Sequence, residues 1–278
     1  MEKIALVTDS TADIPAHLAQ QYHVHVVPNL IVIDGRSYQD GAELSREEFY
    51  RRLPKMKTYP TTGTASAGVY QALYQRIFQN GVDKIISMHA ASRLSGIINA
   101  ATAAAREFGE RVVVQDGEHI TLGLGFQVLA AAEAIASHMP LPDLLALLQD
   151  VRRRVRVVAM LDTLEYVRRS GRVSWASARI GDLLHVKPFV EVRDGGKVLS
   201  LGEARTRTKG IARLLEILHG QGELERLAIL HTNAEEAARA LLASLNSNLP
   251  SEPLVVNVTN IIGAHIGPNG LGFAAVVK

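Results

Sequence analysis

The chain has 278 residues, 47% of them hydrophobic and 21% charged, with a formal net charge of +2 and no cysteine. Such a chain can bury a sizeable core in one large domain or two ordinary ones. The composition excludes disulfides, thiolate catalysis and cysteine-ligated zinc, and so small a charge, with no Lys/Arg block interleaved with aromatics, gives no case for nucleic acid.

Lys3–Val7 opens the chain as a first strand, too short for a signal peptide. No apolar run reaches membrane-span length, so the expectation is a soluble, cytoplasmic protein. The strand ends in Thr8-Asp9-Ser10-Thr11-Ala12-Asp13-Ile14-Pro15, a polar loop where open α/β sheets place ligands. Asp9 and Ser10 suit either ligand contact or plain loop and cap chemistry. Asp13 is placed to cap the next helix, with Pro15 in its first turn. That helix ends near Tyr22, and Val24 to Ile33 reads as a strand. His23-x-His25 lies on one face of it, more simply a surface pair than a zinc site, so no metal is expected. Asp34-Gly35 is a hairpin turn. Ser45 and Glu48 form a capping box for a helix to about Leu53. The loop Thr58–Ser66 is rich in hydroxyls, which is ordinary turn chemistry or a ligand contact. Ser66 is the candidate cap of a helix carrying Val69, Leu73 and Ile77 on one face and stopping at Gly81.

The stretch Ser87-Met-His-Ala-Ala-Ser92-Arg-Leu-Ser95-Gly-Ile-Ile-Asn99 organises the chain. Lys84–Met88 is a short buried strand, followed by a serine-rich turn and an alanine-rich helix to about Phe108. Ser95 is the N-cap candidate, Gly96 lets another group approach the backbone, and Gly109 closes the helix. A helix start carries free N–H groups and a positive dipole end, so this junction is a candidate carboxylate site.

Arg111–Gln115 is a further strand, and a long helix covers about Thr121 to Ser137. Gly123-Leu-Gly125 begins like a dinucleotide fingerprint but fails, because position 128 is Val and no acidic ribose partner follows. These glycines read as close helix packing. Leu144, Leu145 and Leu148 mark an amphipathic helix, and Arg152-Arg-Arg154-Val-Arg156 reads as its solvated end. Strands alternating with helices argue for a largely parallel sheet with covered faces.

Beyond Arg156 the pattern changes. Val157–Leu161 is a strand and Asp162 a cap for a helix from Thr163 to Arg169, ended by Ser170-Gly171-Arg172. A short helix follows around Ser174 to Leu184. Val186–Val192, the turn Asp194-Gly195 and Lys197–Leu201 form a hairpin, and a helix runs to about Leu218. Leu227–His231 and Leu254–Thr259 are strands flanking an alanine-rich helix. Ile261 to Gly272 reads as a loop before a last strand, Phe273–Val277. Hairpins mixed with helices predict a second, α+β domain. The expected domains are 1–155 and 156–278, with an excursion at 58–66 able to pack on the second.

Taken together, the loops resemble those of the DegV family of fatty-acid-binding proteins. The resemblance rests on Thr8-Asp9-Ser10, Pro60-Thr61-Thr62, Ser92-x-Leu-Ser95-Gly96, Gly171-Arg172, Lys187-Pro188, Arg205-Thr-Arg207-x-Lys209 and Gly263-x-His265-x-Gly267-Pro268. It implies a two-domain α/β fold: a Rossmann-like, largely parallel N-terminal sheet, a C-terminal α+β domain, and an acyl chain buried in an apolar tunnel between them. It also implies that Thr62 and Ser95 hydrogen-bond the carboxylate of a long-chain fatty acid such as palmitate, with His265, Thr61 and Gly96 close by. Arg172, Arg205 and Arg207 would face a separate fatty acid kinase or the acyl phosphate, and transient membrane contact would be allowed. The protein would be a carrier without turnover and without a cofactor. The sequence departs from the family pattern at Gly63, Thr64, Ala65, Ala91, Ile97 and Asn269, all flanking the proposed contacts. The competing enzymatic reading is an acyl hydrolase or transferase with Ser95 as nucleophile and His265 as base. It lacks a Gly-x-Ser-x-Gly elbow and an orienting acid.

Overall fold

The computed structural model describes residues 2–178, 186–245, 249 and 252–278. The first part of the chain contains β1 (Ile4–Asp9), α1 (Ala16–Gln21), β2 (His25–Val27), β3 (Leu30–Ile33) and β4 (Arg36–Gln39). It continues through α2 (Arg46–Arg52), β5 (Thr61–Gly63), α3 (Ala67–Gln79), β6 (Lys84–His89), α4 (Ile97–Ala105), β7 (Val112–Asp116), α5 (Leu122–Ala136) and α6 (Leu141–Arg154). The remainder is β8 (Val155–Met160), α7 (Glu165–Ser170), α8 (Ser174–Ala178), β9 (Lys187–Arg193), β10 (Lys197–Ala204) and α9 (Arg207–His219). It closes with β11 (Leu224–His231), α10 (Glu235–Ala243), β12 (Leu254–Asn257), α11 (Asn260–Ile266) and β13 (Leu271–Val277).

These strands form three sheets: a four-stranded sheet ordered β2-β1-β6-β7, a six-stranded sheet ordered β10-β9-β8-β13-β11-β12, and a small sheet β4-β3-β5. All pairings in the first are parallel. The six-stranded sheet is antiparallel except for β11 and β12. The fold is α/β with a parallel sheet and a mixed sheet.

Helix α5 holds the two larger sheets together. Its sequence is apolar on every side, so it is stable only when surrounded. Leu124, Val128 and Ala131 pack in one core with Val7, Ile86 and Met88. Leu122, Phe126 and Leu129 pack in another with Val155, Val157 and Ala274. Gly123 and Gly125 permit the approach: a Cβ would lie 2.3 Å from Val157 Cγ2 at the first and 2.4 Å from the Ala12 carbonyl oxygen at the second. The outer face of the six-stranded sheet is covered by α9 and α10 through Leu214, Leu218, Ala238 and Leu241.

Several local expectations need correction. Val24–Ile33 is not one strand; β2 joins the parallel sheet and β3 leaves it for the small sheet. Asn29 makes the break, its backbone N–H donating to Ser10 Oγ at 3.2 Å. The hydroxyl loop contains strand β5, paired with β3. Asp13 does not cap α1; it is buried, accepts the Thr259 N–H at 2.9 Å and pairs with Arg46 at 3.0 Å. Asp162 does not cap α7 and instead pairs with Lys187 at 2.6 Å. Ser66 occupies the N-cap of α3 without a side-chain capping bond, whereas Ser45 Oγ does accept from Glu48 N. Gly96, not Ser95, is the N-cap of α4, which ends at Ala105 before a distorted turn through Gly109. The stretch read as a C-terminal loop contains α11. The end of the helix expected around 174–184 lies outside the described residues.

Candidate functional site

The carboxyl ends of β1 and β6, the start of α4, strand β5 and helices α7 and α11 converge on one cavity of about 510 Å³. Thr62 reaches it from β5, which is fixed by pairing Ile31 with Thr62 and Leu30 with Gly63. Ser95 and Gly96 reach it from the turn before α4. His265 reaches it from the last turn of α11, a helix begun by Thr259, whose hydroxyl accepts the Ile261 N–H. Arg172 follows the left-handed Gly171 that ends α7 and also lines the cavity. Four residues singled out for ligand contact, Thr62, Ser95, Gly96 and His265, thus share one wall system. Thr61 is exposed and outside that wall. Arg205 is exposed and Arg207 donates to the Asn269 carbonyl at 2.7 Å; neither lines the cavity.

Thr62 Oγ1 and His265 Nε2 are 2.9 Å apart. Burial, reinforced by the Arg172 charge, pushes the His265 imidazole down to about 4, so it is uncharged at neutral pH. Ser95 Oγ accepts the Ile97 N–H at 3.4 Å, a capping-type bond made from the residue just before the Gly96 N-cap. His265 is therefore engaged with Thr62, and no hydrogen bond joins it to Ser95 among the described residues, which removes the contact a Ser95 nucleophile would need from its base. Arg172 donates to the Ser170 carbonyl at 2.7 Å, so it is at once a helix C-terminal cation and a cavity residue.

The cavity is also lined by aliphatic side chains, among them Ile97, Ile120, Leu161, Val190, Val192 and Ile266. Five of these, all but Ile97, also line a second recess of about 60 Å³ that is bounded by Ala159, Gly270 and Leu271. Thr11, Asn29 and Ala90 line the same cavity. Sequence reasoning missed Asn29 altogether. Its only signal was an asparagine interrupting an otherwise apolar run.

A family model described as "Uncharacterised protein, DegV family" matches residues 3–278. The chain belongs to the DegV family. Protein DegV of Bacillus subtilis is 34% identical over 99% of each chain. Among solved structures, a DegV family protein from Thermus thermophilus described by its fatty acid binding has a TM-score of 0.90 at 31% identity, covering 99% of this chain and 100% of its own. Bacillus subtilis DegV, described as a fatty acid binding protein, has a TM-score of 0.89 at 33% identity over the whole of both chains. Among the described residues no cluster of three or more His, Asp or Glu side chains could hold a metal, and no helix is long and apolar enough to cross a membrane.

Proposed function

We propose that this DegV-family chain binds one long-chain fatty acid in the cavity, tail among the aliphatic walls and carboxylate at Thr62, Ser95 and the start of α4. The observation that carries the reading is the cavity's mixed lining: Thr62, Ser95 and His265 share it with many branched aliphatic side chains. The fatty-acid binding described for the Thermus and Bacillus relatives supports it.

The energetics assign separate roles to the two ends. Each buried methylene contributes about 0.8 kcal/mol, so some fourteen of them approach ~10 kcal/mol before ordering costs. A helix N-terminus adds only about 0.3–2 kcal/mol. The tail thus supplies affinity and the hydroxyls supply orientation. Thr62 has a single hydroxyl proton. When it donates that proton to the carboxylate, its oxygen must accept from His265, which fixes the imidazole proton on Nε2. An uncharged His265 can do this without forming an ion pair with the ligand.

A carboxylate held by hydroxyls keeps lone pairs available, whereas a bidentate arginine clamp would occupy them. This suits presentation of the carboxylate to the phosphoryl donor of a separate fatty acid kinase, with Arg172, Arg205 and Arg207 facing that partner. In this reading the chain is a carrier and the phosphoryl-transfer chemistry belongs to the partner.

Native mass spectrometry of the purified protein, followed by organic extraction of denatured protein, tests the binding. One fatty acid per chain is expected. A folded protein that carries no lipid and takes up no added palmitate would overturn the proposal.

A further inference from the structure

Asp9 is fully buried and gathers donors from loops that are remote in sequence. Thr11 donates to Asp9 Oδ1 from its backbone N–H at 3.0 Å and from its hydroxyl. Asn29 Nδ2 donates to the same oxygen at 3.1 Å. Asp9 Oδ2 accepts from the Ala90 N–H at 3.3 Å and from His89 Nδ1 at 3.0 Å. His89 Nε2 in turn shares a hydrogen bond of 2.7 Å with Ser87 Oγ, and Ser87 Oγ one of 2.7 Å with Tyr74 Oη.

The Ser87–His89–Asp9 order is that of a hydrolase triad, but Ser87, His89 and Asp9 are all inaccessible to solvent. No substrate carbonyl can reach Ser87, so nucleophilic chemistry is excluded by burial. Three of the four residues bonded directly to Asp9 line the cavity: Thr11, Asn29 and Ala90. Ala90 begins the turn that carries Ser95. Asn29 leads into β3, which sets the position of Thr62 through the Ile31–Thr62 pairing.

We propose that Asp9 is the positioning residue of the carboxylate site: by binding Thr11, Asn29 and Ala90 together, with His89 braced on Ser87 and Tyr74, it sets the spacing between Ser95 and Thr62. Burial alone would raise the Asp9 carboxyl, but the hydrogen bonds from His89 and Thr11 outweigh it and hold the group below the usual carboxylate range. It is therefore an acceptor for all its donors at neutral pH. Asp9 touches no ligand in this scheme and acts only through the groups it holds.

The inference rests on the fatty-acid reading and predicts a readout that general loosening would not give. Palmitate and hexadecanol share a tail and differ in the headgroup. Dissociation constants for both are measured with wild type, Asp9→Asn and Asn29→Ala. Asp9→Asn presents an amide to donors and should weaken palmitate at least about tenfold, the worth of one charge-assisted hydrogen bond, while hexadecanol changes less than about threefold. Asn29→Ala, which leaves the carboxylate and its other donors in place, should lower the same palmitate-to-hexadecanol ratio by a smaller factor and keeps the test open if Asp9→Asn does not fold. Equal weakening of both ligands, or an unchanged ratio in whichever variants fold, overturns the Asp9 role alone. A wild-type protein that binds neither ligand overturns the fatty-acid reading, and the Asp9 role falls with it.

Discussion

Replacing Gly263 by Ala sets two effects of known size against each other. Gly263 lies inside α11, and alanine in a helix interior is favoured over glycine by about 0.8–1 kcal/mol. The new Cβ, however, would lie 2.3 Å from Tyr50 Oη and 2.6 Å from both Tyr50 Cε1 and Cζ. Tyr50 cannot swing aside cheaply: it is buried, its hydroxyl donates to the Val258 carbonyl at 2.9 Å, and its ring stacks edge-on with Phe49 at 5.3 Å. Overpacking against such a ring costs about 1–3 kcal/mol or more, and three contacts this short argue for the upper part of that range. The net expectation is a loss of about 1–2 kcal/mol, or roughly 2–4 °C in melting temperature for a chain of 278 residues. Thermal and chemical denaturation of Gly263→Ala measures it. The double variant Tyr50→Leu/Gly263→Ala should lose less than the sum of its parts by about 1 kcal/mol or more. A single variant that melts at or above wild type would refute the close-packing argument.

The exposed Gly68 in α3 is the opposite case, since a Cβ there meets nothing nearer than Ser66 Oγ at 3.8 Å; Gly68→Ala should stabilise by up to about 1 kcal/mol, read by the same melts. Thr62→Val removes one hydroxyl and leaves His265 without its partner, so palmitate affinity should fall about 10- to 150-fold, the loss of a charge-assisted bond of ~1.5–3 kcal/mol; calorimetry giving less than a threefold change would count against the headgroup assignment. His265 should stay uncharged on acidification until about pH 4, and an imidazole titrating near 6.5 by NMR would contradict its burial. Because the unfolded chain binds that proton first, His265 contributes stability that is present above pH 6.5 and lost as pH falls towards 4. Asp13 has the opposite sign: burial, only partly offset by Arg46, raises it to about 6. The folded state then binds a proton the unfolded state has released, so stability falls as pH rises from about 4 to 6. Asp13→Asn should remove that slope, and a denaturation midpoint with the wild-type pH profile would show the assignment wrong.

Much of the fold follows from local pattern. The apolar runs of β1 and β6 and the all-round apolar α5 allow few other structures. Asp34-Gly35 is read directly because both residues take positive φ, 49° and 78°, which few residue pairs do. Helix α11 was not legible: seven residues with an internal glycine, bounded by Gly267 and Pro268, look like loop until Tyr50 and the carboxylates of Asp13 and Asp40 are packed around its start. Ser95 stood out as a cap candidate at a helix start, whereas Thr62 and His265 stood out through family resemblance, since nothing local predicts a contact between residues 203 positions apart. The Asp9–His89 pair escaped for a related reason. It follows from the parallel register that sets Ile4 beside Lys84 and Val7 beside Ser87, a long-range choice with no local signature. Only the alternation of Ser87 and His89 on one face of an apolar strand hinted that something polar lay opposite.

The small sheet β4-β3-β5 has a kinetic consequence. It is a plate separate from both large sheets, held to α11 and α7 by Ile31, Ile33, Tyr166, Ile261 and Ala264, and it carries one side of the Thr62–His265 contact. A fatty acid seated there as proposed would bridge the small sheet and α11 as a non-covalent staple, and local opening of that contact would cost less than global unfolding. Its residence time would then follow how often that contact opens, so release rates across variants should track amide exchange in α11 rather than global unfolding.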